Sequence, residues 1–309
     1  MIRSVGRAVL PLLAGATFVT AQGPGPESPR SLTDHVVVIS IDGLRPDAIE
    51  AFSMTNLQRM IREGSHSMEA KTVLPSNTLP SHASMLTGTT PDVHGLAFNR
   101  LMNEGPIVAV PTIFELARAE GLRTAAFYAK AKFRHLDRPD SYDHRQAPTS
   151  SMDNWPATRT VAAVEKYLER ARPNLLFVHL AEPDYAGHTT GWMNAYYGWA
   201  VQRADSAVGR VLAAADAAFG AGEYTLIITA DHGGHGREHG TEDDADSTIP
   251  WIAWGRGVHP GGLPAGIRTM DTAATVLRLL GVNLPAGMAG RAVTAALVTP
   301  AFLAEDPES

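Results

Sequence analysis

The chain of 309 residues contains no cysteine. This absence excludes a thiol nucleophile, thiolate metal ligands, disulfide bonds and a lipid-modified cysteine. The chain also lacks a Gly-x-x-x-x-Gly-Lys-Ser/Thr loop, which excludes the nucleoside triphosphate chemistry that depends on that loop. The formal net charge is −6, so nucleic acid is not expected as a held partner. Bound dications can invert a negative local field, and a small phosphoester therefore stays possible as substrate.

The apolar stretch near the N-terminus is too short to span a bilayer. It covers residues 8–19, whereas a spanning helix needs about 20 apolar residues. Basic residues precede this stretch, and a small-residue cleavage site ends at Ala21. Residues 1–21 therefore predict an export signal, with an uncleaved anchor as the alternative. We expect an exported protein, periplasmic or secreted, that has no stable membrane anchor.

β-Branched runs alternate with segments of helical spacing along most of the chain. This alternation predicts an α/β fold, in which a mostly parallel central sheet carries helices on both faces. The predicted strands are residues 36–41, 123–128, 175–180, 224–230 and 249–254. The predicted helices are residues 45–63, 79–87, 113–120, 158–172, 195–218 and 272–280.

One catalytic domain is expected over residues 33–300, after a flexible linker at 22–32 and before a C-terminal tail at 301–309. Residues 88–112 and 134–157 are rich in proline and in loop signals. Loops of that length in a compact domain are usually functional. These two segments are therefore predicted to roof the active site.

Carboxylate and imidazole side chains follow several of the predicted strands. The residues concerned are Asp42, Asp184, His188, Asp231, His232 and His239. Open α/β sheets place their ligands at the carboxyl ends of strands, so we expect these side chains to converge. Mixed Asp and His ligation suits zinc better than magnesium, because imidazole is a preferred zinc ligand. The pattern therefore predicts a metal site.

The motifs around these residues resemble the alkaline phosphatase superfamily, and most closely its type I phosphodiesterase/nucleotide pyrophosphatase branch. The resemblance rests on Ile41-Asp42-Gly43, Thr78-Leu79-Pro80-Ser81-His82, Thr87-Gly88, His94-Gly95, Asp184-Tyr185-Ala186-Gly187-His188, Asp231-His232-Gly233 and His239-Gly240. It implies an alkaline-phosphatase-like fold and two Zn²⁺ per chain. It also implies two ligand sets, which are Asp184, His188 and His239 for one ion, and Asp42, Asp231, His232 and the nucleophile Thr78 for the other.

The last histidine ligand has two candidates. His235 competes with His239, and the family pattern favours His239 because a His-Gly pair precedes acidic residues and then a strand. The chain also departs from the nucleotide pyrophosphatases, since it has Ser81 where they usually carry Asn and lacks their long insertion before the last histidine. Both departures weaken any transfer of nucleotide specificity. His82, His94 and His179 are interpreted as structural residues.

Thr78 is the candidate nucleophile, at the start of a predicted helix whose backbone N–H groups suit an anion. A threonine hydroxyl needs activation, which a coordinated zinc would supply. Asn99, Lys132 and Arg134 form a candidate clamp for phosphate oxygens, and exported monoesterases of the superfamily have similar groups. The alternative is that the two cations are solvated loop charges and Asn99 is a turn residue.

The leading hypothesis is a zinc-dependent phosphoester hydrolase that forms a phospho-threonine intermediate. Overall motif resemblance favours a phosphodiesterase, whereas three donors to non-bridging oxygens would favour a phosphatase acting on monoesters. A phosphonate hydrolase and a non-catalytic metal-binding homologue are the remaining alternatives. The natural substrate and the oligomeric state are not indicated by these patterns.

Overall fold

The computed structural model describes residues 1–2 and 29–299. Residues 3–21 of the predicted export signal and the predicted tail at 301–309 lie outside the described residues. Eight strands occur in the described part of the chain. They are β1 (Val36–Ile41), β2 (Ser65–Lys71), β3 (Thr124–Phe127), β4 (His144–Gln146), β5 (Leu175–Leu180), β6 (Thr225–Thr229), β7 (Thr248–Gly255) and β8 (Gly261–Gly262).

The strands form one sheet in the order β4-β3-β5-β1-β6-β7-β2-β8. The run from β4 to β6 is parallel, whereas β7 pairs antiparallel with both β6 and β2. Every residue of β1, β5 and β6 is buried, because parallel strands in the middle of such a sheet are covered on both faces. The predicted mostly parallel α/β sheet is confirmed.

Helices occupy most of the connections between strands. They are α1 (Pro46–Ala51), α2 (Thr55–Glu63), α3 (Thr78–Thr87), α4 (Pro91–His94), α5 (Ile113–Ala119), α6 (Ala157–Leu168), α7 (Glu182–Thr190), α8 (Ala195–Phe219), α9 (Asp244–Ser247) and α10 (Asp271–Leu279). Short 3-10 helices cover Ala131–Leu136 and Thr294–Ala296. One group of helices packs around α8 and includes α2, α6 and α7, while α3, α5 and α10 pack together as a second group.

The prediction of one helix over residues 45–63 is wrong. Helix α1 ends at Ala51, Ser53 adopts a φ of 52°, and α2 begins at Thr55. The carboxylate of Asp205 on α8 accepts hydrogen bonds from the first backbone N–H groups of α2, so a distant residue starts the second helix. Strands β2, β4 and β8 were not predicted, since they are short or lack a hydrophobic run.

The central strands bring the predicted acidic residues to one edge of the sheet. β5, β1 and β6 are neighbours and run parallel, so their carboxyl ends meet. Asp42 directly follows β1, Asp184 lies in the first turn of α7 after β5, and Asp231 follows β6. The backbone N–H of Asp42 donates to Leu180, and that of Asp184 donates to the carbonyl of Asp42. These bonds fix the spacing between strand ends.

Candidate active site

Three side chains from two chain segments form the first cluster. Asp184 and His188 lie one helical turn apart on α7, and the Nε2 atom of His188 is 3.3 Å from Asp184 Oδ1. His239, from the loop before α9, brings its Nε2 atom to 3.1 Å from His188 Nε2 and 3.5 Å from Asp184 Oδ1. The three atoms therefore face a common point.

The second cluster is centred on His232. Its Nε2 atom lies 3.5 Å from Asp42 Oδ1, 3.3 Å from Asp231 Oδ2 and 3.4 Å from the hydroxyl of Thr78. Asp184 also comes within 4.8 Å of the ligand atoms of Asp42 and His232, so it lies between the two clusters. The structure thus brings together all seven residues predicted to bind metal.

The spacing within the first cluster and the distances from His232 in the second fit zinc. Zinc–ligand bonds of about 2.0–2.1 Å in a tetrahedron place the ligand atoms about 3.3 Å apart. The observed separations of 3.1–3.5 Å bracket that value. Asp42 Oδ1, Asp184 Oδ1 and Asp231 Oδ2 are buried and have no hydrogen-bond partner among the described residues. Unpartnered buried carboxylate oxygens are costly unless a cation binds them, so the residues present fit two metal positions.

Backbone carbonyls orient the three candidate histidine ligands. The Nδ1 atoms of His188, His232 and His239 donate to the carbonyls of Arg237, Gly233 and Ser76 at 2.8–3.0 Å. A carbonyl can only accept, so Nδ1 carries the hydrogen and Nε2 keeps its lone pair towards the cluster. Burial, followed by the charge of His232, lowers the pKa of His239 to about 4. This imidazole is therefore neutral, which is the ligating form.

Two further histidines contact the predicted ligands from behind. His179 Nδ1 accepts the backbone N–H of Ala129, and its Nε2 donates to Asp42 Oδ2 at 2.8 Å. His82 donates through Nδ1 to the carbonyl of Thr78 at 2.7 Å. Both rings are fully buried, and their hydrogen bonds hold a carboxylate and a helix start in place; His82 Nδ1 also lies 3.5 Å from Asp231 Oδ2.

A lysine that the sequence patterns do not single out lies among the carboxylates. Lys130 follows β3, and its Nζ atom lies 2.7 Å from Asp42 Oδ2 and 2.5 Å from Asp184 Oδ2. Burial opposes the ionisation of Asp42, yet Lys130 and the His179 hydrogen bond hold the pKa of Asp42 well below its usual range. Burial and then the charge of Asp42 raise the pKa of Asp231 well above its usual range. No spacing rule in the sequence identifies Lys130, because the contact depends on β3 lying beside β5.

Two of the three predicted clamp residues meet beside Thr78. The Oδ1 atom of Asn99 accepts the backbone N–H of Leu79 at 3.1 Å and the Nζ of Lys132 at 3.0 Å. Burial, followed by the charge of Lys130, lowers the pKa of Lys132 to about 8. Arg134 is not part of this contact, since its guanidinium donates to the carbonyl of Asn103.

His235, the alternative histidine ligand, lies outside both clusters. The Nδ1 atom of His235 is 2.7 Å from Asp246 Oδ1, and its side chain is 46% exposed. The His239 side chain is 5% exposed and stacks on His232. The structure therefore places His239, and not His235, with the other candidate ligands.

A cavity of about 980 Å³ opens beside the clusters. Its lining includes Asn99, Lys130, Lys132, Asp184 and His188, together with residues 151–152 and 154–156 and aromatic residues of α8. Parts of both predicted roof loops therefore line it. A second cavity of about 690 Å³, beside α6 and α8, has none of the candidate site residues among its lining residues.

This chain matches only part of the length of the curated proteins that are similar to it. Ectonucleotide pyrophosphatase/phosphodiesterase family member 3 of Mus musculus is 24% identical over 221 residues, which are 64% of this chain and 24% of that protein. Venom phosphodiesterase of Macrovipera lebetinus is 23% identical over 218 residues, which are 64% of this chain and 25% of that protein. The chain thus matches about a quarter of the length of these curated relatives.

Solved structures share the fold at low identity. Murine ectonucleotide pyrophosphatase/phosphodiesterase 5, as an inactive threonine-to-alanine variant in complex with AMP, gives a TM-score of 0.70 at 15% identity and covers 82% of this chain and 96% of that chain. A 2-O glycosaminoglycan sulfatase gives 0.70 at 16% identity and covers 86% of this chain and 73% of that chain. These neighbours confirm the alkaline-phosphatase-like fold. The sequence model of the type I phosphodiesterase/nucleotide pyrophosphatase family matches residues 36–246, and the chain belongs to that family.

Proposed function

We propose that this protein is an exported hydrolase of phosphoric diesters that binds two Zn²⁺ and uses Thr78 as its nucleophile. The observation that carries the proposal is the pair of ligand clusters, one with the spacing of a tetrahedral site and the other with its carboxylates and the Thr78 hydroxyl 3.3–3.5 Å from Nε2 of His232. Family membership favours phosphodiester or pyrophosphate chemistry. The murine relative whose threonine-to-alanine variant is inactive agrees with a threonine nucleophile.

In the proposed reaction the Thr78 oxygen forms a bond to phosphorus while the bond from phosphorus to the leaving oxygen breaks. The hydroxyl proton is lost to solvent, and the leaving oxygen takes up a proton. Water then attacks phosphorus, the bond to Thr78 breaks, and the threonine regains its proton. When bound, the zinc ions supply Lewis-acid charge that favours the alkoxide and the leaving oxygen.

The chain's own residues orient these groups. Thr78 is the first residue of α3. The helix start offers a phosphoryl group few backbone donors, because the N–H of Leu79 donates to Asn99, Pro80 has no N–H, and the N–H of Ser81 donates to the carbonyl of Asn77. His82 holds the Thr78 carbonyl, and Asn99 holds the next backbone N–H. Thr78 as a whole residue is 1% exposed, so its hydroxyl is held within the packed start of the helix.

A phosphomonoesterase is the second candidate, because of one specific contact. Lys132 and Asn99 meet beside the start of α3, where a cation and an amide could bind the non-bridging oxygens of a terminal phosphate. Arg134 would have to leave Asn103 to join them. The diester is favoured because only two of the three expected donors are assembled.

The deciding experiment compares kcat/KM of the zinc-loaded protein on bis-p-nitrophenyl phosphate and p-nitrophenyl phosphate. We expect the diester to be preferred by at least tenfold. If the monoester is instead preferred to the same extent, and Lys132→Met loses this preference, the protein is a phosphomonoesterase and the diesterase proposal is wrong. Equal rates that are no faster than those of the protein treated with a chelator would contradict both activities.

Thr78→Ala should lower kcat by at least about 1,000-fold, since removal of a nucleophile costs that much or more in hydrolases that act through a covalent intermediate. Six Asp and His ligands remain, so metal analysis should still find two zinc ions per chain. Thr78→Ser keeps a hydroxyl and serves as the matched control, with activity expected within about tenfold of the wild type. An active Thr78→Ala variant would remove Thr78 from the mechanism.

Export is proposed from the N-terminal sequence. None of the helices within residues 29–299 is long and apolar enough to cross a membrane. The mass of the protein recovered from the periplasm or the medium of an expressing bacterium should correspond to cleavage after Ala21. A full-length chain retained in the cytoplasm would contradict export.

A further inference from the structure

Lys130 contacts one carboxylate from each of the two ligand clusters. Its ammonium lies 2.5 Å from a carboxylate oxygen of Asp184, which belongs to the first cluster, and 2.7 Å from one of Asp42, which belongs to the second. The lysine side chain is 7% exposed. A buried ammonium needs compensating charge, and these two carboxylates supply it.

The contacts use only one oxygen of each carboxylate. Lys130 binds Oδ2 of Asp42 and Oδ2 of Asp184, and His179 also donates to Oδ2 of Asp42. The Oδ1 atoms of both residues stay unpartnered among the described residues, and these are the atoms that face the histidine nitrogens. Lysine and metal therefore have separate oxygens available, and neither needs to displace the other.

We propose that Lys130 is a resident counter-ion that balances the charge of Asp42 and Asp184 without metal and stays on their Oδ2 atoms when metal binds. The proposal rests on the metal site of the proposed function but not on hydrolysis. Three carboxylates, those of Asp42, Asp184 and Asp231, lie together with one ammonium. The lysine thus offsets charge in the metal-free protein, and its repulsion limits how tightly two dications bind.

The first test measures Tm with and without zinc for Lys130→Met, which keeps the chain length but removes the charge. We expect a lower metal-free Tm than in the wild type. We also expect a zinc-induced increase in Tm that is larger than that of the wild type by about 5 °C or more. Lys130→Arg should restore the wild-type increase, because it retains the positive charge.

Lys132→Met is the matched control. Lys132 is two residues away and contacts Asn99 rather than the carboxylates, so its removal should change the zinc-induced increase less than Lys130→Met does. A Lys130→Met increase equal to or smaller than that of the wild type would overturn the proposal. A wild-type protein with no zinc-induced increase would instead contradict the metal site of the proposed function.

The second test uses the wild-type protein, so it does not depend on a variant that folds. Reductive methylation followed by peptide mass spectrometry reports which lysines are accessible. Lys130 should stay unmodified both without metal and with zinc, whereas Lys71, whose side chain is 45% exposed, should react in both states. Methylation of Lys130 in the zinc-loaded protein would mean that the metals expel it, and would overturn the proposal.

Discussion

Gly43 is the residue at which we expect a single methyl group to disturb the metal site. Its φ is +72°, and a Cβ added there would lie 2.9 Å from the Cα of Asp184 and 3.0 Å from its Cβ and N atoms. The backbone N–H of Gly43 also donates to Asp231 Oδ1 at 3.1 Å. Gly43→Ala therefore pushes on one predicted ligand and shifts the hydrogen bond to another.

The expected loss of unfolding free energy in Gly43→Ala has two parts. A left-handed alanine costs about 1–2 kcal/mol, and forcing extra volume against a fixed backbone costs about 1–3 kcal/mol more. Gly121 has a φ of +78° and nothing within 4 Å of an added Cβ, so Gly121→Ala carries only the first part. We expect Gly43→Ala to lose about 2–5 kcal/mol of unfolding free energy and the control to lose about 1–2 kcal/mol.

Urea unfolding of both variants without metal measures this difference. Zinc affinity, measured by competition with a chromophoric chelator, should fall by about 10–100-fold in Gly43→Ala, as for other changes next to a metal ligand, and stay unchanged in Gly121→Ala. Equal losses of stability in the two variants, together with wild-type zinc affinity in both, would refute the role assigned to this close contact.

Two further predictions concern charged residues outside the ligand clusters. The pKa of Lys132 is lowered to about 8, so its charge is lost as the pH rises through 8; Ki for inorganic phosphate should rise above that pH, and Lys132→Arg should abolish the rise. Phosphate affinity that is flat across this range in the wild type would contradict a role in binding. Asp205 accepts the backbone N–H groups of Asn56 and Leu57 at the start of α2. Asp205→Ala should cost about 2–3 kcal/mol in urea unfolding and leave zinc affinity unchanged, and a loss under 0.5 kcal/mol would count against the capping role.

The sequence predicts that the acidic residues converge, because strand positions follow from periodicity, whereas the division into two ligand sets with His239 and Thr78 is what the family resemblance implies. β1 and β5 are continuous apolar runs, and parallel strands deliver Asp42 and Asp184 to the same edge. The four-residue spacing of Asp184 and His188 became one face of α7. Such features are local, and the topology rules of α/β sheets supply the rest.

The features that were not predicted depend on contacts between distant segments. Lys130 is close to Lys132 and Arg134 in the sequence. Only the order of strands in the sheet brings Lys130, rather than either of these neighbours, to the carboxylates. The break between α1 and α2 likewise depends on Asp205, about 150 residues further along the chain. Neither contact can be predicted from the spacing of residues within a single helix or strand.

The carbonyls that orient the three candidate histidine ligands have a consequence for evolution. They belong to Ser76, Gly233 and Arg237, and a carbonyl is present whatever side chain the residue carries. Substitution at position 237, where the side chain is exposed, can therefore proceed without turning the imidazole ring of His188, provided that the path of the chain is kept; position 76 is more constrained, because the buried Ser76 hydroxyl also donates to the carbonyl of Thr241. Natural variants should diverge freely at position 237 while keeping the metal geometry, so a comparison of residue identities would overlook the groups that hold the site in shape.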